Sequence, residues 1–398
     1  MSYIQLAALL AALATVGPFS IDTYLPALHA IGDELNASPV EIQQTLTAYM
    51  LPMGVMVLWH GAFSDAWGRK PVIVVSMLLF ALASLVCVFA GSIETLLVGR
   101  ALQGISAGAG MVVGRAVVRD LMEGPQAQRM MSHVSMAFAL GPAIAPMLGG
   151  WIHSAFGWRA IFVFLALLGL ALAILSTWRM QESHPPAARH PLHLRPLARR
   201  YRSVFASPGF LLLSIAVSLN FNAFFIYVLS APVFLIRHLG LTETEFGWMF
   251  IPGVMGMMAG SAVSARLAGR LSPSRTIRLG YGVMLGAAGL NLAVSFLLAP
   301  GLPQSVLPIM IYNFGMAIAM PSLTLLALDH FPTHRGLASS CQSFVQMLVS
   351  SLTAGLIAPA LWGSVPSLAS GMICLLVLGL ACFLGWWCFF RHPAPERT

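Results

Sequence analysis

Apolar runs of about twenty residues recur from one end of this chain to the other, and nothing else in the sequence limits its fold as strongly. The stretches "VIVVSMLLFALASLVCVFA" (72–90), "AIFVFLALLGLALAILSTW" (160–178) and "ASGMICLLVLGLACFLGWWCFF" (369–390) each reach the roughly 20 residues that carry a helix across a hydrocarbon core. Lipid offers the backbone no hydrogen-bond partner, so each run must satisfy its own amides, and a helix does so within one segment. Only 9% of the 398 residues are charged, against roughly a quarter in a soluble domain, and the mean hydropathy is +0.83. The reading is an all-α membrane protein. The net charge of +8 would alone suggest an anionic partner, but in a membrane chain the location of charge matters more than its sum, and no nucleic-acid partner is expected.

Dividing the apolar runs at charge, Pro and Gly clusters predicts about twelve spans, near 6–30, 43–62, 71–90, 95–117, 129–150, 158–178, 209–235, 246–265, 276–298, 304–328, 336–360 and 368–390. The first run has no basic stretch before it and no cleavage site after it, so it is expected to stay as a helix. Of the 21 Lys and Arg residues, all but Arg100, Arg159 and Arg237 lie in or within about two residues of the even-numbered connections and the C-terminal tail, the tail holding Arg391 and Arg397. This asymmetry predicts both termini in the cytoplasm. Cys87, Cys341, Cys374, Cys382 and Cys388 lie in or beside apolar runs without metal-type spacing, so neither disulfides nor a metal site is expected.

The longest polar stretch, "RMQESHPPAARHPLHLRPLARRYRS" (179–203), separates six spans from six. Its prolines and arginines leave no apolar face to bury, and tethering with enforcement of topology is expected of it rather than binding of lipid headgroups. The division is therefore a six-helix bundle at 1–178, a basic linker at 179–207 and a second six-helix bundle at 208–398. The halves look weakly repeated: "GAFSDAWGRKP" follows the second span and "SARLAGRLSPSR" the eighth, with Gly68-Arg69 set on Gly269-Arg270. Two pseudo-symmetric bundles with a substrate site between them near mid-membrane are a common transporter plan, and alternating access is its natural mechanism.

Two charges stand well inside spans. Asp22, in "PFSIDTYLPAL" (18–28), lies about four residues, or roughly 6 Å, from the centre of the first span. Arg100 opens "RALQGISAG" (100–108), where Gln103, Gly104, Ala107 and Gly108 share its helix face. A guanidinium at such depth is costly and usually faces an interior, although snorkelling to the interface is the plainer alternative. Burial disfavours the charged form of a carboxylate and a nearby guanidinium favours it, so Asp22 with Arg100 forms a candidate for proton uptake and release. A structural salt bridge between helices is the competing reading.

In "GAFSDAWGRKP" the set Gly61, Asp65, Gly68, Arg69 is more specific than the basic pair any inner loop collects. Asp120, beyond Arg115 and Arg119 at the inner end of the fourth span, is a candidate partner for Arg69, with a solvated loop charge as the alternative. The fifth span, "AFALGPAIAPMLGGWI" (137–152), carries Gly141, Pro142, Pro146, Gly149 and Gly150; the prolines bend it and the glycines allow close packing.

On these residues the chain resembles the major facilitator superfamily. The loop resembles the signature that follows the second helix, with Phe63 for its Leu and Ala66 for its first Arg. The resemblance implies a latch that holds the outward-facing state, with Asp65 near the start of the eleventh helix at "HRGLASS" (334–340). Leu96, Arg100, Gln103 and Gly104 resemble the fourth-helix motif, whose Arg is tied to proton coupling. The fifth span is similar to the motif of drug/proton antiporters, with Ala137 for its first Gly, which favours export. Asp22, Tyr24, Leu25, Pro26 and Ala27 resemble the first helix of the bicyclomycin-resistance (Bcr/CflA) group.

Candidates for substrate contact are weaker. The seventh span offers Asn220, Phe221, Asn222, Phe224, Phe225 and Tyr227, which suit a mostly apolar pocket and suit ordinary helix packing as well. Tyr24, Tyr49, Gln103, Asn313, Gln342 and Gln346 join them. His29, His60 and His133 lie near span ends and are read as interfacial rings. The expected protein is a monomeric bacterial inner-membrane carrier that exports small amphipathic drugs against protons, with lipid as surroundings and no cofactor beyond the proton gradient. An exporter of a native metabolite such as an amino acid, nucleoside or sugar is the first alternative, and a non-transporting receptor or scaffold the second. No nucleophile with its base and no phosphate loop appears, so an enzyme is not expected.

Overall fold

The structure, a computed structural model, describes residues 2–189 and 194–390. Arg391 and Arg397, and the side chain of Ala137, lie outside what it describes. Twelve long helices follow one another: α1 (Tyr3–Leu35), α2 (Pro39–Trp67), α3 (Arg69–Val88), α4 (Ile93–Leu121), α5 (Gly124–Phe156), α6 (Trp158–Arg179), α7 (Pro208–Leu229), α8 (Glu243–Leu267), α9 (Pro273–Leu297), α10 (Leu307–Leu328), α11 (Arg335–Leu361) and α12 (Val365–Phe389). Eleven of them are long and apolar enough to cross a membrane, and α5 is a continuous helix of 33 residues between two of these. No strand occurs among the described residues.

Local chemistry sets the helix ends. Ser2 accepts from the Gln5 amide while Gln5 bonds back to Ser2, and Ser38 with Glu41 does the same for α2, each a reciprocal cap of otherwise unpaired amides. Gly68, at φ +102°, ends α2 and starts α3 with nothing between, a conformation that side chains other than glycine's resist. The radial order is that of a membrane bundle: Leu82, Leu167 and Phe296 are exposed while Ser84, Ser214, Ser218 and Asn220 are buried. Small residues let helices touch; a Cβ on Gly104 would land on the Tyr49 carbonyl, and one on Gly260 on the Phe314 carbonyl.

Several helices are interrupted. α1 is helical to Asp22, turns through Thr23 and Tyr24, makes a tight turn at Leu25–Ala27 and resumes at Leu28. Pro26 lacks the N–H that would continue the ladder. α4 pauses at Gly108, and wide π turns occupy Pro232–His238, after α7, and Thr353–Ile357, within α11.

The chain divides into two compact units, Met1–His193 with Leu241–Phe250, and Leu194–Gly240 with Ile251–Thr398. The basic stretch was expected to have no apolar face, and here the structure differs. Leu194–Phe205 is a helix whose Val204 is buried and whose Phe205 ring lies 5.7 Å from that of Phe344 in the second unit. Its arginines are spaced to share one side, which frees the other for packing.

In the second unit His330 lies between α10 and α11. Its Nε2 accepts from Trp386 Nε1 at 3.0 Å, a role open only to a ring nitrogen without a proton. Burial pushes the imidazole pKa down, and the neighbouring Asp329 opposes this only in part. The folded state therefore resists a proton that the unfolded chain accepts, so stability is full above the ordinary imidazole range and falls as pH drops through it. Thermal unfolding followed by tryptophan emission between about pH 8 and about pH 5.5 is expected to show this loss, and His330→Gln to flatten it. An unchanged slope in His330→Gln would refute the assignment.

Candidate functional site

The break in α1 places a polar cluster inside the first unit. Asp22 is 4% exposed and Arg100 fully buried. Arg100 Nη1 donates to the Ser20 carbonyl at 3.2 Å, to Ser20 Oγ at 3.1 Å and to Gln103 Oε1 at 2.7 Å. The guanidinium carbon lies 4.8 Å from the Tyr24 ring centroid and 4.4 Å from that of Tyr49, contacts each worth up to about 2 kcal/mol when desolvated. Both rings are pinned, Tyr24 Oη against Thr45 Oγ1 at 2.9 Å and Tyr49 Oη donating to the Gly17 carbonyl at 3.0 Å. Gln103 Nε2 donates onward to Ser84 Oγ at 2.7 Å.

The geometry agrees with an interior-facing Arg100 and changes its expected partner. Arg100 does not snorkel, and among the described residues no ion pair joins it to Asp22. It is caged by Ser20, Gln103 and two rings, with Nε and Nη2 left unpaired. Tyr24, Tyr49 and Gln103, candidates for substrate contact, are the fully buried walls of that cage. Asp22 keeps its carboxyl free of the guanidinium beside which it was expected to sit. α5 closes in from the other side: a Cβ on Gly149 would land on the Thr23 carbonyl, next to Asp22, and one on Gly150 on the Glu243 carbonyl. His153 Nε2 lies 3.2 Å from Glu243 Oε2. Pro142 and Pro146 lie within the helix, and Gly141 faces Phe19.

At the arginine-rich end of the same unit, Arg69 is buried. It pairs with Asp65, donates from Nη1 to Ser64 Oγ at 2.7 Å and from Nε to Asp120 Oδ2 at 2.9 Å. Sequence reasoning missed the residue that completes this loop. Glu182, just past α6, accepts from the backbone N–H of Arg69 at 2.9 Å and of Lys70 at 3.3 Å, so a carboxylate caps the positive start of α3. Arg189 stands 3.7 Å from Glu182, and Ser183 Oγ donates to Asp120 at 3.0 Å. An acidic residue just after a span is the only local sign, and its partner lies 113 residues away. Gly61 is not in close approach; a Cβ there would meet Val112 at 3.9 Å.

In the second unit the amides of α7 tie helices together. Asn220 donates to Tyr281 Oη at 2.8 Å, Tyr312 Oη donates to the Asn220 carbonyl at 2.8 Å, and Asn222 donates to Ser350 Oγ at 3.1 Å. Asn291 donates to Tyr227 Oη at 2.6 Å and Asn313 to the Gly253 carbonyl at 3.2 Å. Phe225 is buried with its ring 5.1 Å from that of Phe221, and Gln346 is half-buried. Tyr281, Tyr312 and Asn291 were not singled out from sequence. Of the histidines, His60 is not interfacial: it is buried 2% exposed in α2, facing Gly108 of α4. His29 is exposed beside Asp33, and His133 is exposed with Nδ1 3.2 Å from the Tyr3 hydroxyl.

Twelve long helices in two units, with charges held inside the first, define a multi-pass membrane carrier. Residues 10–354 match the sequence profile of the Major Facilitator Superfamily. The chain belongs to that superfamily. It is 28% identical over 346 residues to the bicyclomycin resistance protein homolog of Haemophilus influenzae, covering 87% of each chain. To the multidrug resistance protein MdtL of Escherichia fergusonii it is 30% identical over 348 residues, 86% of this chain and 85% of that one. The fold is similar to that of the human organic anion transporter MFSD10 (TM-score 0.70, 18% identity, 97% and 99% of the two chains). It is also similar to a bacterial Spinster homolog in an inward-facing, occupied conformation (TM-score 0.73, 16% identity, 97% and 96%).

Proposed function

We propose that this chain exports small amphipathic drugs from the cytoplasm across the bacterial inner membrane in exchange for protons, with Asp22 as the proton carrier. The observation that carries the reading is a buried carboxyl at a helix break, unpaired with the cation that is caged against Ser20 two residues before it. A carboxyl locked in a salt bridge would have to break it at every turnover; one without that bond is free to change charge. The names of the relatives, bicyclomycin resistance and multidrug resistance, support drugs as the cargo.

In the cycle, the arginine-rich end and both termini face the cytoplasm. Ionised Asp22 favours the loaded state. After the outward transition a proton from outside adds to the carboxylate, its charge is lost, and the drug leaves. The empty carrier returns with the proton and releases it inside. Arg100, bonded to Ser20 two residues before Asp22, holds this end of the helix in place. The loop at 61–71 with Asp120 and Glu182 stabilises the outward-facing state.

Inverted vesicles from cells without their own pumps, loaded with an acid interior, test this. Wild-type protein is expected to accumulate drug and dissipate the pH gradient together. Asp22→Asn is expected to lower gradient-driven accumulation at least about tenfold, the order of an essential proton-transfer group, and to weaken drug binding to purified protein, because the amide has the neutral charge of the protonated carboxyl. Full proton-driven efflux by Asp22→Asn would sink the assignment.

A further inference from the structure

The first unit holds a cleft that the cycle above does not use. It lies between the first half of α1, the second half of α4 and the first half of α5, and is a partly open hollow of about 100 Å³. Leu10, Ala14, Met111, Val134 and Phe138 make its walls apolar, and Arg115 is the charged residue in its lining. Ala14 precedes Asp22 on α1 by about 12 Å of helix rise, so the cleft is separate from the Arg100 cage and nearer the arginine-rich end.

Arg115 is exposed at the mouth of this hollow and has no hydrogen bond or ion pair among the described residues. The carboxylate nearest it along α4, Asp120, is committed to Arg69 and Ser183. Arg119, one turn further on, adds positive charge rather than relief. An apolar hollow with one well-placed charge is the usual form of a small-molecule site, and a guanidinium without a partner selects a planar or tetrahedral oxyanion. A cationic amphipath would meet an arginine and no acid in the lining. Gly114 keeps the space open: a Cβ there would meet Leu10 Cδ2 at 3.6 Å, ordinary contact, so a side chain at 114 would start into the cleft without a clash at its first atom.

We propose that this cleft binds amphipathic organic anions from the cytoplasmic side, Arg115 holding the acidic group and α1, α4 and α5 the apolar body. The substrate class thus includes acids as well as neutral compounds, which rests on the export reading above.

The probe pair is 2-naphthoate and its neutral isostere 2-naphthamide, titrated by calorimetry into full-length protein in phosphatidylcholine nanodiscs. Arg115→Gln is expected to weaken naphthoate about tenfold or more, the loss of one charge-assisted pair, and to leave naphthamide unchanged; Arg115→Lys recovers part of the affinity. Gly114→Leu is expected to weaken both, by filling the cleft. Naphthoate that binds Arg115→Gln and wild type alike overturns the proposal. So does displacement of naphthoate by a few per cent of phosphatidylglycerol with no naphthoate transport in vesicles, which would make this a lipid site. Efflux of a neutral drug is measured in parallel: its absence in wild type defeats the export reading, while Arg115-dependent naphthoate binding still upholds the anion site.

Discussion

Arg100→Lys is expected to retain less than about a tenth of wild-type drug efflux although the positive charge is kept. The guanidinium is a flat plate between the Tyr24 and Tyr49 rings, 4.8 and 4.4 Å from their centroids, and it holds the Ser20 backbone and Gln103 at once. An ammonium is a compact point charge that cannot stack between both rings while reaching Ser20, the residue two before Asp22. The expected result is a protein that inserts and unfolds at a somewhat lower temperature but whose Asp22 no longer couples drug to protons. Tyr49→Phe, which keeps the ring and loses only the bond to Gly17, is expected to be mild. Efflux above half of wild type in Arg100→Lys would show that charge alone suffices and that the cage is incidental.

Gly68→Ala is expected to be the most damaging single methyl in the loop. Its φ of +102° strains any side chain by about 1–3 kcal/mol. The new Cβ would also land on Glu182 Oε2 and lie 2.7 Å from Arg189 Nη2, displacing the carboxylate that caps the Arg69 and Lys70 amides. Losing such a cap costs about 1 kcal/mol more. Efflux and thermal stability should both fall. Glu182→Ala removes the collision but not the backbone strain, so the double variant is expected to lose less than the sum of the two single losses. Simple additivity would mean that Gly68 and Glu182 do not meet.

Much of this was legible because the chemistry is local. A carboxylate in an apolar run has to be sheltered, which marked Asp22, while the break at Pro26 that follows it was not read from the sequence. Gly68 before Arg69 announces a turn that only glycine makes easily. Partner choice was not legible. Which groups of α1 face α4 depends on the direction in which the chain leaves the break, and this turns Ser20 rather than Asp22 toward Arg100. The α7 amides show the same limit: an asparagine that lines a pocket and one that ties two helices read alike. His60 was misplaced because hydropathy ends the second run at 62, whereas polar Gln43, Thr45 and Ser64 are buried inside α2, so the helix runs on to Trp67.

The cap at Glu182 also moves a boundary that matters for anyone who would take the protein apart. Hydropathy invites a cut after the sixth span, at about residue 178, as though everything beyond were tether. Glu182, Ser183 and Arg189 belong by their bonds to the first bundle, and the helix that begins at Leu194 packs with the second. Two separately expressed halves should therefore meet between Arg189 and Leu194. An N-terminal fragment that stops at Arg179 would carry α3 with its first amides uncovered and Arg69 one neighbour short, and so would start life as a damaged part rather than half of a whole.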